Sequence, residues 1–174
     1  MNKKVLFLTQ SAIIAALYTV LTVLAGSLNL ASGVIQVRFS EALTILPAFT
    51  PAAIPGLFIG CLISNILTGC MPLDVIFGSL ATLIGAVGTY LLTHKKKDGE
   101  WAFKQGKASA ILTPIPPILA NTLIVPFVLA YVYGYEGTIP FFMLTVGIGE
   151  ILSCGVIGLV LYSALYPRRK QIFG

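Results

Sequence analysis

Long apolar segments, almost free of charge, recur along this chain and constrain its fold more than any other feature. Residues 3–25, 74–94, 108–134 and 140–166 are each long enough to cross a bilayer as a helix, which takes about 20 apolar residues. Hydrophobic residues make up 57% of the 174 residues and charged residues only 10%, a more apolar composition than a water-soluble core requires. Because barrel strands would instead alternate over short segments, the sequence predicts an all-α integral membrane protein.

Two further apolar segments, residues 38–50 and 53–69, bring the number of predicted helices to six. The first is short for a membrane span and begins with two charged residues. Pro51 and Pro55 predict a tight corner between the two segments, because proline restricts the backbone and interrupts a helix. We expect the six helices to form one compact transmembrane bundle, a single domain over residues 1–174.

Basic residues are concentrated in three places: Lys3 with Lys4, the run from Lys95 to Lys107, and the run from Arg168 to Lys170. With six spans all three lie on the same side, and the positive-inside rule predicts that this side, with both termini, is cytoplasmic. The net charge of +5 is also compatible with nucleic-acid binding. No segment is polar enough, however, to form a basic surface with interleaved aromatic residues, so we expect membrane lipid around the chain and no nucleic acid.

Signatures of enzymes are missing from the sequence. There is one histidine, which excludes an H-E-x-x-H pair, and neither a G-x-S-x-G elbow nor a G-x-x-x-x-G-K-[ST] phosphate loop occurs. The three cysteines lack the spacing of metal ligands. We therefore expect no enzymatic activity, no catalytic residue, no metal and no cofactor.

Six polar side chains lie within the predicted spans or at their ends, where burial is costly and usually functional. They are Arg38, Glu41, Asn65, Asp74, Asn121 and Glu150. At the helical rise, the two asparagines lie about 20 Å from the cytoplasmic ends of their helices, and Glu150 about 16 Å from the outer end of the last one. The other three lie at outer helix ends. The sequence therefore predicts one polar pocket in the outer half of the bundle.

Each of these residues also has a purely structural interpretation. Arg38 and Glu41 are three residues apart and could form an ion pair within one helix. Asp74 follows Pro72 and could cap a helix. The remaining three could each form a single hydrogen bond between helices. The sequence leaves these alternatives open.

Two pairs of small residues have the spacing that lets membrane helices approach closely. The pairs are Ala12 with Ala16, and Gly56 with Gly60. Internal packing between helices of the bundle would explain both. Because both pairs lie toward the predicted cytoplasmic ends of their helices, a docking surface for a partner subunit is the alternative hypothesis.

The segments "QVRFSEALTILPAFTPAAIPGLFIGCLISNILTG" and "DVIFGSLATLIGA" resemble the QueT family, whose members are substrate-binding S components of energy-coupling factor (ECF) transporters and are associated with queuosine precursors. The resemblance covers nearly the whole chain. Ala12 and Ala16 resemble the pair with which S components dock on a transmembrane coupling subunit. The resemblance implies a subunit of the bacterial cell membrane that captures its substrate outside and works with that coupling subunit and two ATPase subunits.

Queuosine precursors are 7-deazaguanines, and their chemistry suits the predicted pocket. The guanine-like edge presents two adjacent N–H donors, which a carboxylate such as that of Glu41 can accept together. Arg38 would keep this carboxylate ionised and oriented, and a cationic aminomethyl group at position 7 would require a second acid. The flat faces of the 7-deazaguanine ring system could stack on aromatic side chains. The candidates are Phe39, Phe49, Tyr131 and Tyr135.

Two other classes of function compete with the S component. A self-sufficient ion-coupled transporter of a small vitamin-like or nucleobase-like solute would be expected to have inverted repeats and paired broken helices, which this sequence does not display. An intramembrane enzyme would require a nucleophile with a base, or a metal site, and no such set is evident.

Overall fold

Helices make up most of the chain in the computed structural model, which describes residues 2–28, 38–97, 100–103 and 107–173. The helical elements are α1 (Lys3–Ser27), a central 3-10 helix (Phe39–Ala48), α2 (Ala53–Leu67), α3 (Pro72–Thr93), α4 (Lys107–Leu112), α5 (Ile115–Tyr131), α6 (Ile139–Glu150), a π-helical segment (Ile151–Ile157), α7 (Gly158–Leu165), a 3-10 turn (Tyr166–Arg168) and α8 (Arg169–Phe173). The last five follow one another without a break, so the final 35 residues before Gly174 form one long helical rod.

Within the part of the chain that the structure describes, four helical stretches are long and apolar enough to cross a membrane. They are Lys3–Ser27, Pro72–Thr93, Ser109–Tyr131 and Ile139–Phe173. Helix α2 is apolar but has only 15 residues, and the ten residues of the central 3-10 helix rise about 20 Å, against a hydrocarbon core of about 30 Å. Length and composition therefore support four of the six predicted spans.

The central 3-10 helix is the most enclosed element of the fold. Every residue from Ser40 to Ala48 is buried, because α1, α2, α3, α7 and the π-helical segment all pack against it. Long 3-10 helices are uncommon, since their hydrogen bonds have poorer geometry. Here side chains add bonds to the element: Thr44 Oγ1 donates to Glu41 O over 2.6 Å, and Thr22 Oγ1 donates to Ser40 Oγ over 2.8 Å.

Helices α1 and α2 approach closely at two glycines. A Cβ atom added to Gly56 would lie 2.8 Å from Ser11 O, and one added to Gly60 would lie 2.8 Å from Tyr18 Cβ. Both glycines are buried in this contact, so the prediction that they belong to a partner-docking surface is wrong. Ala12 and Ala16 lie on the other side of α1 and are exposed.

Helices α3 and α5 make a similar close contact, in which glycines of α3 face prolines of α5. A Cβ atom on Gly85 would lie 2.6 Å from Pro117 Cα, and one on Gly88 would lie 2.7 Å from Pro116 Cβ. The two prolines occupy the first turn of α5, where their missing N–H groups cost no hydrogen bond. This contact fixes the spacing of the two helices that carry Asp74 and Asn121.

A short β-hairpin departs from the predicted all-α fold. Strands β1 (His94–Lys97) and β2 (Glu100–Phe103) pair antiparallel, with His94 opposite Phe103 and Lys97 opposite Glu100. The hairpin falls in the basic run between α3 and α4, where consecutive lysines cannot continue a membrane helix. The sequence between the strands is Asp-Gly, which is typical of two-residue hairpin turns.

The three segments that carry the basic residues lie together at one end of the bundle. Phe49, which follows the central 3-10 helix, lies 6.2 Å from Phe103 of the hairpin and stacks at 5.7 Å on Phe173 of α8, measured between ring centroids. Gln10 Nε2 in the first half of α1 donates to Ile172 O over 3.5 Å. The start of α1, the hairpin and α8 therefore lie together, at what we call the basic end of the bundle.

Candidate functional site

A polar cavity lies toward the end of the bundle opposite the basic end. Helix α3 shows this location. Its first three turns contribute to the cavity wall, and the basic hairpin follows its last residue. Its volume is about 30 Å³, and its lining residues are Arg38, Glu41, Asp74, Gly78, Thr82, Asn121, Val125, Leu129, Val146 and Glu150. Such a volume has room for water, and a bicyclic ligand requires the walls to move apart.

Five of the six polar residues predicted from the sequence line this cavity, and one does not. Asn65 of α2 is completely buried, and its Nδ2 atom lies 3.2 Å from where a Cβ atom on Gly78 would be. Its Nδ2 donates to Cys61 Sγ over 3.6 Å, while its Oδ1 has no hydrogen-bond partner. Asn65 therefore lies behind the cavity wall, with the backbone of Gly78 between.

Glu41 lies on the cavity wall with only half of its carboxylate paired. The side chain is 2% exposed. Its Oε1 accepts a hydrogen bond from the hydroxyl of Tyr18 on α1, whereas Oε2 is buried without a partner. A buried acceptor without a donor costs free energy, so Oε2 is a position where a ligand N–H would be stabilising.

Arg38 precedes the central 3-10 helix and is not paired with Glu41. Its backbone N donates to Ser153 Oγ over 3.2 Å, and its Nε is buried without a hydrogen bond. Among the residues that the structure describes, no ion pair joins Arg38 to Glu41. The structure thus does not contain the intrahelical ion pair, and the residue that orients the Glu41 carboxylate is Tyr18, not Arg38 as predicted.

Glu150 brings a second carboxylate to the cavity from the junction of α6 and the π-helical segment. Its Oε2 accepts from Cys154 Sγ over 3.0 Å, and the same thiol contacts Glu41 O at 3.4 Å. Ligand atoms of these three side chains lie within 4.8 Å of one another, a grouping that could hold a cation. Asn121 of α5 completes this side of the cavity, with its Nδ2 buried and without a hydrogen bond of good geometry.

Asp74 is held by a tyrosine from the loop between α5 and α6. Tyr133 Oη donates to Asp74 Oδ2 over 2.8 Å and accepts from Met71 N over 3.3 Å. The residue that caps α3 is Met71, and Asp74 lies in the first turn, so the N-cap interpretation is wrong. Burial and the bond to Asp74 raise the pKa of Tyr133, which keeps its hydroxyl protonated and able to donate.

Replacing Tyr133 with Phe is expected to loosen this loop. Asp74 is 7% exposed and would keep a buried carboxylate oxygen without its donor, which costs about 1–2 kcal/mol and lowers Tm by about 2–6 °C. Tyr135→Phe is the matched control, because Tyr135 stacks on Tyr133 at 5.6 Å between ring centroids but its hydroxyl has no described hydrogen bond. Thermal unfolding in detergent measures both, and equal Tm values for the two variants would contradict this role of Tyr133.

The aromatic residues proposed for stacking lie elsewhere. Phe49 packs at the basic end, Tyr131 is 78% exposed, Tyr135 stacks on Tyr133, and Phe39 is not part of the described cavity wall. The cavity is instead closed by the aliphatic side chains of Val125, Leu129 and Val146. The predicted aromatic stacking at this cavity is therefore wrong.

Sequence reasoning also missed Tyr18 and Cys154. Tyr18 belongs to the inward face of α1, with Ser11, Ile14, Ala15, Thr22 and Ala25, and a lone phenol on such a helical stripe is a detectable signal. Cys154 lies four residues after Glu150, so the two share a helix face. That spacing could have indicated their contact.

Helices long and apolar enough to cross a bilayer, packed around a polar cavity, define a class of protein: a multi-pass membrane protein with a polar site inside its helical bundle. Residues 8–167 match the family described as QueT transporter, and the chain belongs to this family. The predictions of membership in this family, and of a transporter and not an enzyme in the bacterial cell membrane, are confirmed at the level of the family.

One curated relative adds detail to this assignment. Over 98 residues the chain is 40% identical to the "Queuosine precursor transporter QueT" of Lactococcus lactis subsp. cremoris (strain MG1363). The match covers 56% of this chain and 57% of that protein, so it spans little more than half the length of the relative. No solved structure matches this chain.

Proposed function

We propose that this chain is the substrate-binding subunit of an ECF-type importer and that it captures a 7-deazaguanine precursor of queuosine, such as preQ1 or queuine, from outside the cell. Residues 1–174 would form a single transmembrane domain of this subunit. Membership of the QueT transporter family supports the substrate class. The polar cavity supports capture of a small polar molecule within the membrane region.

The observation that carries the proposal is the free Oε2 of Glu41 on the cavity wall. A 7-deazaguanine presents two adjacent N–H groups, and a carboxylate accepts such a pair in a fork. Oε1 can take part although Tyr18 already donates to it, since each carboxylate oxygen has two lone pairs. A bound guanine-like edge would thus satisfy an acceptor that the protein leaves unpaired.

The other side of the ligand also finds partners in this cavity. Arg38 Nε is a buried donor without a hydrogen bond among the described residues, and Asn121 Nδ2 is a buried donor whose bond to Glu150 lacks good geometry. The ring carbonyl of a 7-deazaguanine is an acceptor for such donors. The faces of the bicycle would pack between Val125, Leu129 and Val146. Most small-molecule sites have this composition of apolar walls with a few polar groups that fix orientation.

The orientation in the membrane follows from the basic end. The starts of α1 and β1 and the segment before α8 carry lysine and arginine, and the positive-inside rule favours placing that end in the cytoplasm. The cavity then lies in the outer half of the bundle, on the side from which capture is proposed. Six spans and cytoplasmic termini remain part of this proposal.

Ala12 and Ala16 are the proposed contact with the coupling subunit. Both are exposed on the half of α1 near the basic end, where a subunit linked to cytoplasmic ATPases would need to bind. Small residues allow a second helix to approach the α1 backbone closely. Exposed Ile13 and Leu17, at 54% and 48%, would add apolar contact beside them.

A single uptake experiment tests the substrate and the coupling together. In cells without another uptake route, this chain with its coupling and ATPase subunits is expected to accumulate labelled preQ1. Ala12→Leu combined with Ala16→Leu should reduce uptake at least about tenfold, since overpacking of a close helix contact costs about 1–3 kcal/mol per site, while the purified variant still binds preQ1. Ala164→Leu, at another exposed alanine on α7, is the matched control and should transport normally.

Three results would contradict the proposal at different points. Absence of uptake by the unmodified complex would reject the substrate. Normal uptake by the Ala12→Leu, Ala16→Leu variant would reject this docking surface. Uptake by the chain in cells without coupling and ATPase subunits would identify a self-sufficient transporter instead.

A further inference from the structure

Two carboxylates from different elements face the same cavity. Glu41 comes from the central 3-10 helix and Glu150 from the end of α6, and both line the cavity wall. Their oxygens lie within 4.8 Å of each other. Among the described residues neither forms an ion pair with a basic side chain: Tyr18 donates to Glu41, and Cys154 and the amide of Asn121 donate to Glu150. The two acids thus lie side by side in a region of low dielectric constant, where a second negative charge is costly unless a cation lies between them.

The charges around the cavity do not balance. The described lining includes three carboxylates, those of Glu41, Asp74 and Glu150, and one basic side chain, that of Arg38. Tyr133 occupies one oxygen of Asp74. Like charges this close repel strongly where water is scarce, and a cation brought between Glu41 and Glu150 would be attracted by both. The lining therefore favours a ligand that brings a positive charge of its own.

We infer that Glu150 is the residue that selects for a cationic ligand, by binding an ammonium group on the 7-substituent while Glu41 binds the guanine-like edge. This inference rests on the proposed function, and it assigns the two acids different roles. The edge and the 7-substituent lie on different sides of the bicycle, so the two carboxylates separate as the ring enters. The small volume of the cavity, about 30 Å³, requires the same widening.

The roles cannot simply be exchanged. The carboxylate of Glu41 is completely buried, and Tyr18 fixes its Oε1 atom. A carboxylate held in this way suits two directed hydrogen bonds from adjacent N–H groups of a ligand. The side chain of Glu150 is only partly buried, and its carboxylate is held by a thiol, a weak donor, and by the amide of Asn121, whose hydrogen bond lacks good geometry. Its carboxylate is therefore the more easily reoriented, as an ammonium group on a flexible arm requires.

Calorimetry with two ligands of different charge tests this assignment. The probes are 7-aminomethyl-7-deazaguanine, which is cationic, and 7-cyano-7-deazaguanine, which is neutral and has the same edge. The purified chain should bind the aminomethyl compound about tenfold to a hundredfold more tightly, as expected for a hydrogen bond between charged groups. Glu150→Gln should bring the two affinities within about threefold of each other by weakening only the aminomethyl compound.

Control variants separate charge from structure. Glu150→Asp keeps the charge and should keep the preference, and Glu136→Gln removes an exposed carboxylate that is not part of the cavity wall and should keep it too. If Glu150→Gln does not fold, loss of the preference at pH values that neutralise the amine, compared with the neutral probe, supports the inference in the unmodified chain. A preference that persists there overturns it.

The remaining outcomes also decide the question. Equal binding of both probes by the unmodified chain overturns the inference and leaves the proposed function standing. Equal weakening of both probes by Glu150→Gln overturns it as well, because a structural role would act on both. Binding of neither probe by well-folded protein rejects the proposed function itself.

Discussion

Replacing Glu41 with Gln is expected to weaken binding of preQ1 by about tenfold to a thousandfold. The substitution conserves shape but replaces one acceptor oxygen by a donor, so one N–H group of the ligand meets an NH₂ group instead of an oxygen. Hydrogen bonds to ionised groups contribute about 1.5–3 kcal/mol, and an unpaired buried donor adds to the loss. Isothermal titration calorimetry on protein purified in detergent measures the effect directly.

The matched control is Glu136→Gln, which makes the same chemical change at an exposed position in the loop between α5 and α6. It should leave the affinity unchanged within about twofold. A near-native affinity for Glu41→Gln together with a lower Tm would mean that Glu41 serves only to hold Tyr18 and the central 3-10 helix. The binding site would then have to be rebuilt around Asn121 and Glu150.

Replacing Gly85 with Ala is expected to lower Tm by about 4–12 °C, because the added methyl group separates α3 from α5. Its Cβ would lie 2.6 Å from Pro117 Cα and 3.1 Å from Pro117 N, and backbone atoms cannot move aside as a flexible side chain can. Overpacking of this kind costs about 1–3 kcal/mol or more. Thermal unfolding in the same detergent measures the change.

Gly26→Ala is the control for this experiment, since both are glycine-to-alanine changes within long helices. At Gly26 the nearest atom to an added Cβ is Thr68 Cγ2 at 3.9 Å, an ordinary contact. The variant should be neutral or more stable, because alanine favours a helix over glycine by about 1 kcal/mol. Equal Tm values for the two variants would show that α3 and α5 are further apart than described.

The convergence of polar residues could be predicted from the sequence because depth along a helix follows from residue number. Arg38, Glu41, Asp74, Asn121 and Glu150 were all assigned to the outer half of the bundle and all line one cavity. Depth along a helix does not determine the direction in which a side chain points around the helix axis. Asn65 lies at a similar depth but behind Gly78, and only the packing of α2 on α3 determines that.

The two pairs of small residues also show that sequence spacing does not determine which neighbour a helix face contacts. Ala12 with Ala16 and Gly56 with Gly60 have identical spacing, yet the first pair is exposed and the second is buried against α1. A spacing of four residues specifies that a close approach is possible on that face. Which helix makes the approach is decided by the rest of the bundle.

The conformation of the central segment was also beyond sequence reasoning. Ten residues beginning with Phe39 were expected to form a short membrane helix, and their composition gives no reason to prefer a 3-10 helix. The tighter helix is longer for the same number of residues, at about 2.0 Å per residue compared with 1.5 Å. Burial on all sides, a tertiary effect, allows an element whose own hydrogen bonds are weak.

This buried segment connects the polar cavity with the basic end of the bundle. One end carries Glu41 at the cavity, and the chain leaves the other end through Phe49, whose ring stacks on Phe173 at the basic end. Because close-packed neighbours surround it along its length, an axial push at Glu41 cannot be absorbed by bending into lipid. We expect a small axial displacement of Glu41 on ligand entry to reach the aromatic contacts of Phe49, which lie about 16 Å further along the segment at 2.0 Å per residue.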